Sequence, residues 1–569
     1  MPDLTKSQKA RVAISSFKTL ANAMALRGYF RPSGKTGQAL ADCLMTLSPE
    51  IYGSMTDSRV VELKGLEYVI DRLPRGIEEA SRIILTEEED FGENVFEKIV
   101  PLKRRRNCYR ISESEICFVI TRGLSEIYDI LTHLTFLNVE AQKIAAHMVD
   151  ESGNVTVEWR SLENAMAHHE SLTGRQLEQA VWNLSLILGR SYHETRQSYE
   201  NFENNRIAHN SNNGLFSLVY HMGHRIWQEK QSPDNYRIVY MTPSLMNIIA
   251  HQRYGRLWAD DIKHRLGELA LHDRPLHIVS ANMHSVVNLL YGYAAAGECY
   301  ISDDPSENGL YGFIGCIREK SDAIFNYARQ HGLYELPDRS GTHIDCQVID
   351  TALLGDIAQH PELRIGGSTA SHPAPVILVM DYAFGAQAFE IMDCLLNPHP
   401  ENDAPLNVCS ISIMGKAGIL PGGKGDVMLA TAHVIEGTSD NYIFENDLSR
   451  TDFDADINVY EGPMITVLGT SLQNRDMLHR FQSSWNTIGL EMEGGHYQRA
   501  ISAAIIKGHI ARDVDVRYAY YASDNPLASG QTLAAGEMGP EGIRPAYMVT
   551  KVIIEQIFKK GCEQKAKNA

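Results

Sequence analysis

Two short residue sets stand out for what their side chains can do together. Glu491-Met492-Glu493 places two carboxylates around a methionine, and Ser523-Asp524 ends the mostly apolar run VDVRYAYYASD (514–524). A carboxyl group buried at a strand end can be kept protonated and act as a general acid. A second carboxylate can accept hydrogen bonds or steady a developing positive charge. A third segment, Gly415-Lys416-Ala417-Gly418-Ile419-Leu420, reads as a glycine-rich turn after an apolar run, with Gly425-Asp426 a few residues on. Taken singly, each set has a plain structural reading. Glycine turns follow strands in any α/β fold, and an aspartate after a strand often caps a helix. Their order and spacing give the signal together.

Other motifs fail on inspection. RPSGKTG (31–37) lacks the glycine that a phosphate loop needs five residues before the glycine of GK; Tyr29 stands there, and ANAMALRGYF before it reads as helix rather than strand. His168-His169, and His221 with His224, have no cysteine or carboxylate nearby to complete a metal set, so no metal is expected. There is no G-x-S-x-G for a serine hydrolase and no C-x-x-C among the nine cysteines.

The elements that must hold these residues change in texture along the chain. Residues 1–265 carry apolar residues at helical spacing, as in Ile116 to Met148 and Leu177 to Leu188, and read as a mostly α-helical N-terminal domain of unassigned role. From 266 to 569 short β-branched runs alternate with helical ones, which predicts an α/β domain whose central mixed sheet is flanked by helices. Strands are expected at 275–282, 375–383, 408–415, 426–434, 464–470, 487–493 and 514–523, and a last helix at about 544–560 capped by Gly561. The loop-like stretch 298–372 reads as an insertion or a lid.

Composition narrows the class. The net charge of −18 argues against a nucleic-acid partner, which would require a basic footprint. The basic run Lys103-Arg104-Arg105-Arg106 is short and reads as a solvated loop. There is no transmembrane run, and the first twenty residues lack an apolar signal-peptide core, so a cytoplasmic location is expected.

The strand, glycine segment, E-M-E and Ser-Asp, in that order, resemble the nucleoside phosphorylase/nucleosidase superfamily over roughly residues 275–560, with the AMP nucleosidase branch most similar. That branch also carries a long N-terminal extension, and Ser523-Asp524-Asn525-Pro526-Leu527 is similar to its S-D-x-P-L. The resemblance implies cleavage of the N-glycosidic bond of a purine, most simply adenine, nucleoside or nucleotide. Asp524 would protonate the leaving base at N7, with Ser523 orienting it. Glu493 would bind the ribose hydroxyls, Glu491 would support the sugar or orient Glu493, and Met492 would pack beneath. The resemblance further implies substrate contacts from Gly415 and from Lys416, which can bind a 5′-phosphate or inorganic phosphate. Leu472, Gln473 and Arg475 fall on the base side. His284 falls where related nucleosidases carry a water-activating glutamate; it can act as base, pack or cap. No cofactor is implied, and a homo-oligomer is. Hydrolysis is the leading expectation. Phosphorolysis by inorganic phosphate and a catalytically weak sensing or protein-interaction module are the alternatives.

Overall fold

The computed structural model describes residues 4–87, 95–104, 106–168, 171–245, 252–296, 309–355, 357–365, 373–398, 405–528 and 538–563. The chain divides into two compact units: Met1–His251 with Ser471–Met477, and Gln252–Thr470 with Leu478–Ala569.

The N-terminal unit is dominated by helices, as its periodicity predicts. Gly123–Ala146 is buried on nearly every side, which suits a helix at the centre of a bundle. The unit also holds a six-stranded sheet that the sequence does not advertise, in the order Tyr29–Phe30, Ile238–Met241, Arg82–Thr86, Glu115–Val119, Asn107–Ser112, Glu97–Lys98. The basic run departs from its solvated reading. Arg106 is buried, with its Nε 3.0 Å from Glu126 Oε1 and a second contact to Asp129. Those two carboxylates on the central helix draw the guanidinium inward, because a buried charge needs partners; Arg105 lies outside the described residues.

The C-terminal unit is α/β. Its strands are β1 (Leu276–Ser280), β2 (Leu333–Leu336), β3 (Cys346–Asp350), β4 (Val376–Met380), β5 (Val408–Ile419), β6 (Val427–Ile435), β7 (Asn441–Ile443), β8 (Val459–Thr466), β9 (Gly489–Glu491) and β10 (Asp515–Asp524). They pair in the order β7-β6-β8-β9-β5-β1-β4-β3-β2, and β10 pairs with both β5 and β6. The sheet therefore closes on itself through β5, β9, β8, β6 and β10 into a small barrel, with β1, β4, β3 and β2 extending from β5 as an open sheet. β5 is parallel to β1 and β10 and antiparallel to β9.

Helices cover both faces, which is why β1 and β4 are buried throughout and read as unbroken apolar runs. One core layer joins the sheet to Trp258, Ile262, Ile391 and Tyr497; the other joins it to Val286, Leu290, Phe313 and Ile553.

Three readings change. The segment Gly415–Ile419 is not a turn but the last part of β5, because it has hydrogen-bonded neighbours on both sides, β9 and β10. The stretch read as an insertion or lid supplies β2 and β3, the latter paired with β4, so its described part is woven into the sheet. Gly561 lies inside the last helix, Ile543–Glu563, rather than at its cap.

Candidate active site

β5 sets the frame. Its Gly418 faces Asp524 of β10 on one side and Leu490 of β9 on the other. At a strand spacing of about 4.8 Å, the two flanking backbones stand roughly 10 Å apart. Asp524 and Leu490 thus flank the same residue of β5, so the Ser523-Asp524 and Glu491-Met492-Glu493 segments lie on either side of one stretch of that strand.

The register of β5 with β10 slips between Ala417 and Gly418: Ala417 pairs with Ala522, Gly418 with Asp524, and Ser523 is the extra residue. Such bulges re-aim side chains. Here Ser523 Oγ lies 3.3 Å from Ala417 O and donates to Asp524 Oδ1 at 2.5 Å. Asp524 is 3% exposed, and its Oδ2 has no hydrogen-bond partner among the described residues. Burial pushes its pKa above the ordinary carboxylate value, against the opposing effects of Ser523 and the charge of Lys416. Lys416 itself is exposed.

The two glutamates divide their tasks. Glu491 is buried and committed to the protein. Its Oε1 accepts from Thr466 Oγ1 at 2.5 Å and faces His433 Nδ1 at 3.4 Å. Its Oε2 accepts from Glu493 N at 2.5 Å and from Gly494 N. Burial alone would raise its pKa, but His433, Thr466 and the Gly494 amide together hold it below the ordinary value. Glu493 is half-buried, and its Oε1 accepts from Gly385 N at 2.9 Å. Met492 between them is half-buried.

The pair of glycines after this motif has a steric cause. A Cβ on Gly494 would run into His433 Cε1, the Tyr520 hydroxyl and Glu491 Cδ, and one on Gly495 would run into Thr466 Oγ1. The helix Gly494–Lys507 can start against the barrel mouth only with a bare backbone.

Several neighbours escaped the sequence reading. The Tyr382 hydroxyl, just past β4, bonds the Asn282 backbone and the Tyr521 hydroxyl, spanning three strand ends. Its ring lies 3.4 Å from where a Cβ of Gly415 would be, and the residue remains 40% exposed. It is an aromatic wall beside the bare Gly415 backbone. His433 and Thr466 were hidden in apolar strands. A histidine in the middle of DVMLATAHV was the one available signal.

Other expected residues stand elsewhere. Leu472, Gln473 and Arg475 group with the N-terminal unit. Leu472 is buried, Gln473 O accepts from Glu50 N at 2.9 Å, and Asn474 Nδ2 donates to Leu47 O at 2.8 Å, which accounts for the grouping. His284 is exposed, with its ring edge-on to Phe325 at 5.4 Å. Its amide donates to Asn282 Oδ1 at 3.0 Å, so the end of β1 serves as a helix cap. Among the described residues no group of three His, Cys, Asp or Glu side chains is placed to hold a metal ion. No described helix is long and apolar enough to cross a membrane.

A family model matches residues 38–303 and 317–559. The chain belongs to DUF6909, described as a family of unknown function. No curated protein matches it. Among solved structures, half of the chain is similar to 99% of the Campylobacter jejuni 5′-methylthioadenosine/S-adenosyl homocysteine nucleosidase, at 10% identity and a TM-score of 0.31. A Helicobacter pylori futalosine hydrolase mutant gives 11% identity and a TM-score of 0.30, over 50% of this chain and 99% of that one. Isoform 2 of uridine phosphorylase from Schistosoma mansoni gives 10% and 0.31, over 53% of this chain and 90% of that one. The scores are low, and what the strand-end residues can do follows from their own geometry.

Proposed function

We propose that the strand-end cluster hydrolyses the N-glycosidic bond of a purine nucleoside or nucleotide, with adenine as the favoured base. One observation carries this reading: a buried Asp524, its pKa raised by burial and its Oδ2 without a hydrogen-bond partner among the described residues, flanks the same stretch of β5 as the segment that carries the half-buried Glu493. An acid that holds its proton until transfer suits a leaving group that must be protonated, and such help contributes ~10²–10⁴-fold.

In this scheme the C1′–N9 electron pair leaves with the base, and Asp524 supplies the proton taken up at N7. Water adds to C1′, and the proton it releases restores Asp524. Glu493 accepts hydrogen bonds from the ribose hydroxyls and steadies the cationic sugar. Met492 offers an adaptable apolar surface. Water is taken as the acceptor; Lys416, whose charge acts on Asp524, is the cation that would meet a phosphate if phosphorolysis were the reaction. Tyr382 offers a phenol ring, not a charge, beside Gly415.

The test is to incubate the full chain with AMP, adenosine, inosine and methylthioadenosine, with and without inorganic phosphate, and to separate the products by chromatography. Free base with ribose or ribose 5-phosphate, at a rate indifferent to phosphate, is expected. Ribose 1-phosphate would establish phosphorolysis instead, and no base released from any of the four would reject the reading.

A further inference from the structure

Inside the barrel, behind the proposed sugar-binding carboxylate, lies a polar cluster that the scheme above leaves unused. His433 on β6 is fully buried, stacked on Phe444 at 5.4 Å and edge-on to Tyr518 at 4.7 Å. Among the described residues neither of its ring nitrogens makes a well-aligned hydrogen bond, and neither does the buried Tyr520 hydroxyl. The imidazole, that hydroxyl and the Glu491 carboxylate all converge on the bare backbone of Gly494. Glu491 takes Thr466 Oγ1 on one oxygen, with His433 Nδ1 facing it at 3.4 Å, and the Glu493 and Gly494 amides on the other.

A helix start needs no such device. Serine, threonine or aspartate caps do the same work at the surface, and burying a carboxylate is costly unless it is paired. What the buried pair adds is a fixed direction for the backbone around Glu493. Bonds to an ionised acceptor are roughly twice as strong as neutral ones, and here two of them hold the successive peptides on either side of the Glu493 Cα.

We propose that His433 and Glu491 form a buried positioning pair that fixes the two peptides flanking Glu493, so that Glu493 meets the sugar hydroxyls in one orientation. His433 is then a positioning residue, 60 positions away in sequence from the carboxylate it serves. The inference deepens the assignment of Glu493 as the sugar-binding group and rests on it.

Two measurements on the full chain test it, with His433→Gln and Glu491→Gln, and with Thr466→Val as a milder change that removes one donor to Glu491. The first is amide hydrogen exchange read by mass spectrometry, which does not depend on any activity. The peptide spanning 492–495 is expected to exchange at least about 10-fold faster in the glutamine variants, and less so in Thr466→Val, while β1 and β4 stay protected. Unchanged exchange at 492–495 in a folded variant overturns the proposal, as does a uniform loss of protection across the unit in all three variants.

The second is the rate of base release from AMP against 2′,3′-dideoxyadenosine. If the pair acts through Glu493 on the sugar hydroxyls, His433→Gln raises KM for AMP about 10-fold and has almost no effect on the dideoxy substrate. Equal losses on both substrates contradict it. If the unaltered chain releases base from neither of these nor from adenosine, inosine or methylthioadenosine, the hydrolase reading fails by itself, and the exchange result still decides whether the pair holds the backbone at Glu493.

Discussion

Asp524 is where the chemistry and the cost of folding meet. Its folded pKa lies above its unfolded one, so it holds its proton to a higher pH than a free aspartate does. Two opposite consequences follow from that sign. Activity that needs the proton is full below the raised value and is lost as pH climbs through it. Stability falls as pH rises above the ordinary value of 3.8, where the unfolded chain ionises and the folded one resists. Asp524→Asn should therefore lower base release by ~10²–10⁴-fold while raising the melting temperature at neutral pH; a variant that is both active and less stable would contradict the assignment. Glu493→Ala should raise KM for ribosides roughly 10- to 100-fold, the worth of about 1.5–3 kcal/mol of charge-assisted hydrogen bonding, read from initial rates over a concentration series. At this scale the sequence offered its candidates where they sit in short contiguous motifs, E-M-E and S-D. It was silent where residues far apart meet. His433 reaches Glu491 across the barrel, and Tyr382 reaches Tyr521 across three strand ends. No local pattern encodes either contact.

The elements show why the motifs are spaced as they are. β5 has partners on both sides along its glycine segment, so those glycines extend a strand where glycine usually punctuates a turn. That misreading of Gly415–Ile419 was a failure of a local rule against tertiary pairing. The bulge that leaves Ser523 unpaired is equally invisible in sequence, yet it sets the bond from Ser523 to Asp524. The apolar strands β1, β4, β5, β6 and β10 were legible because helices cover both faces, whereas β8 begins at Val459, ahead of the expected 464, because Glu461, Gly462 and Pro463 interrupt its apolar pattern. β7 has three residues and β2 four, and both lie at sheet ends, where the hydrophobic pattern is too short to read. Gly494→Ala probes this scale. The added methyl collides with His433, Tyr520 and Glu491 at once, and overpacking of this kind costs about 1–3 kcal/mol. Denaturant unfolding should show that loss, and a neutral result would mean that the helix start can shift away from the barrel.

At the scale of the whole molecule, the C-terminal unit carries a buried polar set of its own. His277 on β1 bonds Ser410 Oγ at 2.7 Å, and Arg517 pairs with Asp447 at 2.7 Å. Burial, with the charge of Arg517 adding to it, lowers the His277 pKa to about 3. A histidine whose folded pKa is depressed supports stability above its unfolded value and loses that support as pH falls. The unit should therefore weaken between pH 6.5 and about 3, at no more than about 1.4 kcal/mol per pH unit. Melting curves of His277→Gln should be flatter over that window than those of the unaltered chain, and identical slopes would show that other groups govern acid lability. The change from a helix-rich region to an α/β region was legible from periodicity; the grouping of Ser471–Met477 with the N-terminal unit was not. The six-stranded sheet of the N-terminal unit was not, because its strands are two to six residues long and scattered among helices.

The central claim is that Asp524 gives its proton to a departing base while Glu493 holds the sugar. It is tested most directly by changing the leaving group. A p-nitrophenyl β-riboside expels an anion that needs no proton. Asp524→Asn should lose at least ~10²-fold on AMP yet cleave the nitrophenyl riboside at close to the unaltered rate, whereas Glu493→Ala should be impaired on both. If Asp524→Asn loses equally on the two substrates, or on neither, Asp524 is not the proton donor.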